Sequence, residues 1–163
     1  AKPLLAAALQ GQDIGLVSEA GMPAIADPGS SVVRAAHALG LEVVPLVGPI
    51  SLLLALAASG LNGQNFAFVG YLPADATGRA QRIRELEALA QKTGQTQLFI
   101  ETPYRNAALL QGLLQTLKGT SRLAVCCGIT LPQQRVQSGL VADWKQRAAT
   151  LPLELPAVFL IGR

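Results

Sequence analysis

The chain has few of the residue types that mark several common functions. Only 4% of its 163 residues are aromatic, which argues against a protein that binds single-stranded nucleic acid by stacking bases on many rings. One histidine, His37, and two adjacent cysteines, Cys126 and Cys127, offer neither zinc-site spacing nor a disulfide framework. We therefore expect reduced thiols and a cytoplasmic protein.

Long apolar runs and runs of charge are also missing. The longest apolar stretch, near residues 50–58, is much shorter than the roughly 18 to 20 residues that a membrane span requires. The opening AKPLLAAALQGQD lacks the basic flank and the long apolar core of a signal peptide. Charged residues make up 14% and the formal net charge is +3, which permits an acidic partner without requiring one. We expect a compact soluble protein.

Short apolar runs alternate with helical segments along the first part of the chain. The runs at 14–18 and 42–47 are predicted strands, and each precedes a predicted helix, at 30–39 and 50–59. A glycine follows each helix, where a left-handed closing residue is favoured. This order predicts an α/β fold with parallel strands and covering helices.

A segment dense in Gly, Asn, Pro and Asp, residues 62–78, predicts a domain junction. We place an N-terminal α/β domain at 1–72 and a C-terminal α/β domain at 73–163, with mostly parallel or mixed sheets. The C-terminal pattern predicts helices near 79–92, 104–117 and 142–148, and strands at 96–102, 122–130 and 157–162.

Ligands of open α/β sheets bind beyond the carboxyl ends of strands, and the first such connection, SEAGMPAIADPGSS, is unusually long. Gly21 and Gly29 allow its backbone to approach a ligand closely. A long connection in which Asp27 or Ser30 caps the next helix explains the segment equally well. A phosphate-binding loop is disfavoured, since no lysine is nearby and the G-x-x-x-x-G-K-[ST] spacing is absent.

Three more connections carry polar residues at strand ends. In VGPIS, Ser51 lies in the first turn of a predicted helix. Proline is common at helix starts, which explains the proline of this segment without a ligand. In IETPYR, Glu101 caps the helix or binds a ligand, and Arg105 pairs with Glu101 or reaches a phosphate. GITLPQQR carries Thr130 and two glutamines and also fits an ordinary polar turn.

Other chemically active side chains favour structural roles. Arginines at 79, 82 and 84 interleave with Glu85 and Glu87, which is typical of a solvated helix face rather than of a nucleic-acid patch. His37 lies within a predicted helix, without a recognisable nucleophile. The two cysteines are interpreted as core residues.

Three motifs in order resemble the tetrapyrrole methylase superfamily: the run at 18–56, the GYLP at 70–73 and the ETPYR at 101–105. Within it they look like the branch of ribosomal small-subunit RNA methyltransferases that modify a cytidine ribose 2′-oxygen. The resemblance implies an S-adenosylmethionine-dependent methyltransferase of two α/β domains. It further implies a homodimer, a substrate in ribosomal RNA or the small ribosomal subunit, and no metal.

The resemblance also implies roles for individual residues. The cofactor would lie in the cleft between the domains and be held largely by backbone groups. Glu19 and Glu101 are the candidate carboxylates for accepting the proton of a ribose hydroxyl, and Arg105 is a candidate substrate contact. The implied cofactor contacts are Ser18, Glu19, Ala20, Gly21, Met22, Pro23, Ala24, Ile50, Ser51, Ile100, Glu101, Ile129 and Thr130.

The chain departs from the RNA-methylating branch at two segments. ITLPQQR resembles the Thr-x-Pro-x-Gln-Arg run of the porphyrin-precursor C-methylases, and Leu155-Pro156 replaces a near-terminal Gly-Glu. C-methylation of a tetrapyrrole precursor is therefore an alternative function. The family's first strand and glycine loop have no counterpart before residue 14, so we expect an incomplete N-terminal domain. A truncated non-catalytic domain that keeps the fold and dimerises is the third hypothesis.

Overall fold

A computed structural model describes residues 2–144, 146 and 150–163. The chain divides into two compact units, Ala1–Ile50 and Ser51–Arg163, which we describe separately. This division falls inside the VGPIS segment, whereas the domain boundary predicted after residue 72 stays a prediction.

The first unit contains one α-helix, α1 (Ser30–Ala38), among its described residues, together with two 3-10 turns, Lys2–Leu5 and Ala8–Gln10. The helix predicted at 30–39 is therefore confirmed. Gly40 follows it with φ +70°, the left-handed conformation that closes many helices.

The strands predicted at 14–18 and 42–47 are wrong, because neither segment forms a strand. An apolar pattern reports a tendency to be buried, whereas a strand also needs a hydrogen-bonded neighbour. Val17 is 87% exposed and Leu46 is 79% exposed. These side chains have the character of a sheet core, but the described part of this unit has no sheet to bury them.

The second unit contains a five-stranded sheet in the order β1-β2-β5-β3-β4. Only β1 and β2 are parallel, and the other three pairings are antiparallel, so the sheet is mixed, as the α/β prediction allowed. The strands are β1 (Phe66–Tyr71), β2 (Thr96–Ile100), β3 (Arg122–Cys127), β4 (Arg135–Leu140) and β5 (Ala157–Gly162).

Helices cover both faces of this sheet. Helix α2 (Ser51–Ser59) packs on β3, β4 and β5. Helices α3 (Ala76–Thr93), α4 (Asn106–Thr116) and α5 (Val141–Trp144) pack on the other face and form the main apolar core. Phe99 and Phe159 stack within it, with ring centroids 6.0 Å apart. Strands β3 and β5 are thus held between two layers, which explains their nearly continuous burial.

Most predicted elements of the second unit are confirmed, with shifted ends. Helix α3 begins three residues before the predicted start, because the Asp75 side chain accepts the Gly78 N–H at 2.6 Å and caps it. The helix predicted at 104–117 is a 3-10 turn, Pro103–Arg105, followed by α4. The helix predicted at 142–148 corresponds to α5, and residues 145 and 147–149 lie outside the described residues.

The interpretation of Glu87 as part of a solvated helix face is wrong. Glu87 is 5% exposed, and its carboxylate accepts hydrogen bonds from Ser121 Oγ at 2.5 Å and from the Lys118 N–H at 2.8 Å. Gln91 Nε2 also donates to Ser121 Oγ, at 3.2 Å. This buried network fixes α3 against the turn between α4 and β3.

Candidate functional site

The loop of residues 18–29 in the first unit has an unusual backbone. Four of its residues have positive φ: Gly21 (72°), Ala24 (68°), Ala26 (55°) and Gly29 (145°). Left-handed backbone costs an alanine about 1 to 2 kcal/mol. Residues held in such conformations cluster at ligand sites, where the surrounding structure compensates for the strain.

Contacts inside the loop maintain this conformation. The Ala24 N–H donates to Pro28 O at 3.3 Å, and Ser18 Oγ lies 3.1 Å from Ala20 O and 3.2 Å from Gly21 O. A Cβ at Gly29 would lie only 3.1 Å from Ala24 N, so the absence of a side chain at residue 29 favours this close approach of the loop to itself.

Helix capping does not explain this loop. Gly29 occupies the N-cap of α1, and no side chain makes a cap hydrogen bond there. The explanation in which Asp27 or Ser30 caps the helix is therefore wrong. The predicted contact residues Ser18, Gly21 and Ala24 thus lie in an ordered loop whose shape the start of α1 does not require.

The sheet of the second unit places two predicted contact segments at the same end of its strands. Strand β5 lies between β2 and β3, which run in the same direction. Ile100, the last residue of β2, pairs with Val158, and Cys127, the last residue of β3, pairs with Ala157. The segments that begin at Glu101 and Gly128 therefore both start at this end of the sheet, two strand spacings or about 10 Å apart.

Glu101 is a fixed and almost buried carboxylate, with 6% of the residue exposed. Its Oε1 accepts hydrogen bonds from the Thr102 N–H at 2.7 Å, from Thr102 Oγ1 at 3.2 Å and from Arg105 Nε at 3.2 Å. Of the two roles that the sequence left open for Arg105, the structure shows the ion pair with Glu101.

Arg105 is held on one side and open on the other. Its Nε donates to Glu101 Oε1 and, at 3.1 Å, to Thr102 Oγ1. Its guanidinium lies 5.1 Å from the ring centroid of Tyr104, and Tyr104 is 80% exposed. Both hydrogen bonds that the Arg105 side chain makes to described residues use Nε, which leaves its two terminal nitrogens to donate to an anionic ligand.

The connection after β3 is strained rather than an ordinary polar turn. Gly128 has φ +58° and Thr130 has φ +72°, a value that is rare for a β-branched residue. The Thr130 N–H donates to Gln134 Oε1 at 2.8 Å, and the Leu131 N–H donates to Gly128 O at 2.8 Å. Ile129 and Thr130 are held in this turn at the carboxyl end of β3.

An open depression of about 500 Å³ lies beside this turn. One positively charged and one negatively charged side chain line the depression, together with apolar and hydroxyl-bearing side chains. The lining residues are Pro132, Gln133, Arg135, Thr150, Leu151, Pro152 and Glu154. The depression can accommodate a polar group next to the predicted contacts Ile129 and Thr130.

The two cysteines belong to the core, as predicted. Burial raises the pKa of the Cys126 thiol to about 12, with a further contribution from the charge of Cys127. Burial and the charge of Glu154 raise the pKa of the Cys127 thiol to about 11. Both side chains therefore remain neutral thiols at neutral pH and are not poised as nucleophiles.

The remaining predicted residues have ordinary surroundings. Ile50 is half-buried at the end of the first unit, and Ser51 is the exposed first residue of α2. His37 lies in the last turn of α1. Across the described part of the chain, no three His, Cys, Asp or Glu side chains are grouped to hold a metal ion. None of the helices described is both long and apolar enough to cross a membrane.

Sequence reasoning did not identify two side chains that shape the site. Gln134 appeared only as a polar turn residue, although its amide holds the Thr130 N–H. Asn106 is fully buried directly after Arg105 and bonds a distant segment. Only their positions in the sequence could have pointed to them, because Asn106 directly follows Arg105 and Gln134 lies four residues after Thr130.

Comparison with known proteins identifies relatives over most of the chain. Residues 1–144 match the family described as Tetrapyrrole (Corrin/Porphyrin) Methylases. The ribosomal RNA small subunit methyltransferase I of Vibrio cholerae is 36% identical over 135 residues, which cover 83% of this chain and 46% of that protein. The protein of the same name from Escherichia coli O157:H7 is 40% identical over 125 residues, covering 77% and 42%. The chain spans about half the length of these relatives.

Solved structures show the same fold. The methyltransferase CobJ aligns with a TM-score of 0.54 and 20% identity, covering 88% of this chain and 62% of that one. The cobalt precorrin-4 methyltransferase CbiF aligns with a TM-score of 0.54 and 15% identity, covering 87% and 61%.

Proposed function

This chain belongs to the tetrapyrrole (corrin/porphyrin) methylase family, and from this premise we propose that it is an S-adenosylmethionine-dependent methyltransferase that 2′-O-methylates a cytidine of small-subunit ribosomal RNA. The observation that carries the proposal is the strained loop of residues 18–29, whose backbone conformation neither a helix cap nor a simple connection requires. The names of the curated relatives support the choice of RNA. A cytoplasmic homodimer, implied by the family resemblance, is part of the proposal.

The chemistry of the cofactor suits a site formed largely by backbone groups. A sulfonium cation with an adenine ring needs carbonyl oxygens, a few hydrogen-bond partners and an apolar slot, and it needs no lysine cradle. In the proposal, residues 18–24 present backbone groups to the methionine and ribose parts, and Ile50 with Ser51 forms a second contact. The strand-end residues Ile100, Glu101, Ile129 and Thr130 contact the adenine side.

The reaction is an in-line displacement. The ribose 2′-oxygen bonds to the methyl carbon as the bond from carbon to sulfur breaks, and the sulfur keeps that electron pair as a neutral thioether. The hydroxyl proton passes to a carboxylate, for which Glu101 and Glu19 are the candidates. The protein's main tasks are to align carbon with oxygen and to exclude water.

The first test is binding of S-adenosylhomocysteine, the product that remains after the methyl group is transferred. We expect saturable heat in a calorimetric titration of this chain, followed by transfer of labelled methyl groups to undermethylated small ribosomal subunits. No binding at millimolar ligand would overturn the enzymatic proposal for this chain and favour a non-catalytic domain. Transfer to uroporphyrinogen instead of RNA would establish the tetrapyrrole alternative, which the ITLPQQR segment favours.

A second test concerns Arg105 as the contact for an RNA phosphate. Lysine keeps the charge but cannot pair with Glu101 through one nitrogen while donating through two others. We expect Arg105→Lys to raise KM for the ribosomal substrate roughly tenfold, the loss expected for one charge-assisted hydrogen bond. The affinity for S-adenosylhomocysteine should stay unchanged.

Arg82→Lys is the matched control, because Arg82 also pairs with a carboxylate, that of Glu85 at 3.1 Å, on an exposed helix surface. We expect no change in KM for this variant. Equal values of KM in the two variants would rule out Arg105 as the phosphate contact.

A further inference from the structure

We infer that Asn106 is a positioning residue that joins the two strand-end segments of the second unit, Ile100–Glu101 and Ile129–Thr130. The inference rests on the proposed function, since it concerns how those segments are held for the cofactor. Asn106 is the first residue of α4 and directly follows Arg105, and no part of its surface is exposed.

The side-chain amide of Asn106 crosses to a segment 47 residues further along the chain. Its Nδ2 donates to Leu153 O and to Leu155 O, each at 2.9 Å. Because both partners are carbonyl oxygens, only the NH₂ end of the amide can face them, which fixes its orientation.

The other end of the same amide is left without a partner. Asn106 Oδ1 is buried and accepts no hydrogen bond from the described residues, which lowers stability. An apolar side chain of similar size would avoid that penalty. What the amide adds is therefore its pair of donated hydrogen bonds to the segment 153–155.

That segment in turn sets the turn after β3. Pro156 O accepts the Gly128 N–H at 2.8 Å, and Leu155 Cδ1 lies 2.9 Å from the place where a Cβ at Gly128 would be. Gly128 has φ +58° and directs the chain to Ile129 and Thr130.

The contacts form one continuous path past the start of β5. The path runs from the Glu101–Arg105 ion pair to the adjacent Asn106, through the backbone of 153–156, and on to Gly128 and Thr130. The segment 153–156 leads directly into β5, which separates β2 from β3. Loss of the donors should therefore release the 128–130 turn while Glu101 keeps its own hydrogen bonds.

The test uses Asn106→Asp, which keeps the shape but places a carboxylate oxygen against two carbonyl oxygens. Backbone amide hydrogen exchange is followed by NMR at Gly128, Thr130, Leu131 and Gln134, whose N–H groups all donate within this region. We expect protection at these amides to fall by roughly tenfold or more, and S-adenosylhomocysteine to bind roughly tenfold more weakly. If Asn106→Asp fails to fold, Asn106→Ser, which retains one donor, replaces it.

Glu87→Gln is the matched control. It weakens a buried hydrogen-bond network near the opposite end of α4, at Lys118 and Ser121, and so lowers stability without touching the 128–134 region. We expect unchanged ligand affinity and no selective loss of protection at the four amides in this variant.

The outcomes separate the inference from the proposed function. Unchanged protection in Asn106→Asp, or lost protection with unchanged affinity, would overturn the positioning role. An equal loss of affinity in Glu87→Gln would show that general destabilisation is the cause, and would overturn it as well. If the wild-type chain binds no S-adenosylhomocysteine, the proposed function fails, and the exchange comparison still decides whether Asn106 orders the 128–130 turn.

Discussion

Replacing Gly21 by valine should abolish S-adenosylhomocysteine binding while the first unit stays folded. Gly21 has φ +72°, and a Cβ there would have no heavy atom of the described residues within 4 Å. A Cβ at this position therefore clashes with nothing in the described residues, and the expected folding cost is left-handed strain, at least about 1 to 2 kcal/mol because valine is β-branched. In the proposed complex, the branched side chain occupies the space where the loop backbone meets the ligand.

Gly40→Val is the matched control for this prediction. Gly40 has φ +70°, and a Cβ at Gly40 would likewise have no heavy atom of the described residues within 4 Å. Gly40 differs in that it follows α1 rather than lying in the 18–29 loop. We expect Gly40→Val to lower the melting temperature as much as Gly21→Val does and to leave ligand binding intact.

The measurements are thermal unfolding and calorimetric titration of both variants. We expect Gly21→Val to lose at least about 100-fold in affinity, a change of about 2.8 kcal/mol. Unchanged affinity in folded Gly21→Val would remove the loop from the cofactor site. Equal losses in both variants would show that backbone strain, rather than occlusion of the ligand, is responsible.

The sequence predicted the second unit well because its central elements bury continuous apolar runs. Strands β2, β3 and β5 combine such runs with flanking turns, and α3 begins at an aspartate cap. Both strands that the sequence analysis missed, β1 and β4, lie at the sheet edges. An edge strand such as RVQSGL carries mixed polarity because it has a neighbour on one side only.

The first unit shows the limit of pattern reasoning. Helix α1 forms from local signals and closes at Gly40, whereas a strand depends on partners elsewhere in the chain. The runs at 14–18 and 42–47 have the apolar character of strands, but no partner strand accompanies them among the described residues of the unit.

The candidate site likewise has a part that the sequence predicted and a part that it did not. Of the four connections that the sequence placed at strand ends, those with Glu101 and Thr130 do follow β2 and β3, whereas those at 18–29 and 47–51 follow no strand. The sequence could not predict left-handed backbone at Ala24 and Thr130, because their residue types disfavour it and contacts made by other residues impose it. Nor does any local pattern reveal a bond from Asn106 to Leu153, since their contact depends on the tertiary fold.

Glutamine at position 101 should separate two roles of the Glu101 carboxylate, that of a brace for Arg105 and that of a proton acceptor. All three hydrogen bonds of the Glu101 carboxylate to described residues go to Oε1, so Oε2 has no partner among them and is the oxygen able to take up a proton. Glutamine keeps an acceptor oxygen for the Thr102 N–H and Arg105 Nε but cannot take up a proton at neutral pH.

We expect Glu101→Gln to lower kcat for methyl transfer by about 10² to 10⁴, the contribution typical of a general base, while S-adenosylhomocysteine affinity stays near that of the wild type. Glu101→Ala should lower both, because it also removes the brace and leaves the Arg105 side chain without its ion-pair partner. The comparison requires labelled methyl transfer and calorimetric titration of the same preparations.

Glu19→Gln is the counterpart, since Glu19 is the other candidate carboxylate and lies exposed in the 18–29 loop. We expect a smaller effect on kcat there, because an exposed side chain without a fixed orientation aligns poorly with a reacting hydroxyl. A large loss of kcat in Glu19→Gln with none in Glu101→Gln would assign proton acceptance to Glu19 and leave Glu101 as a brace. Glu101→Gln keeps the hydrogen bond to Arg105, whereas Glu101→Ala loses it. A loss of kcat with unchanged S-adenosylhomocysteine affinity therefore indicates lost proton transfer, and a loss of both indicates lost alignment.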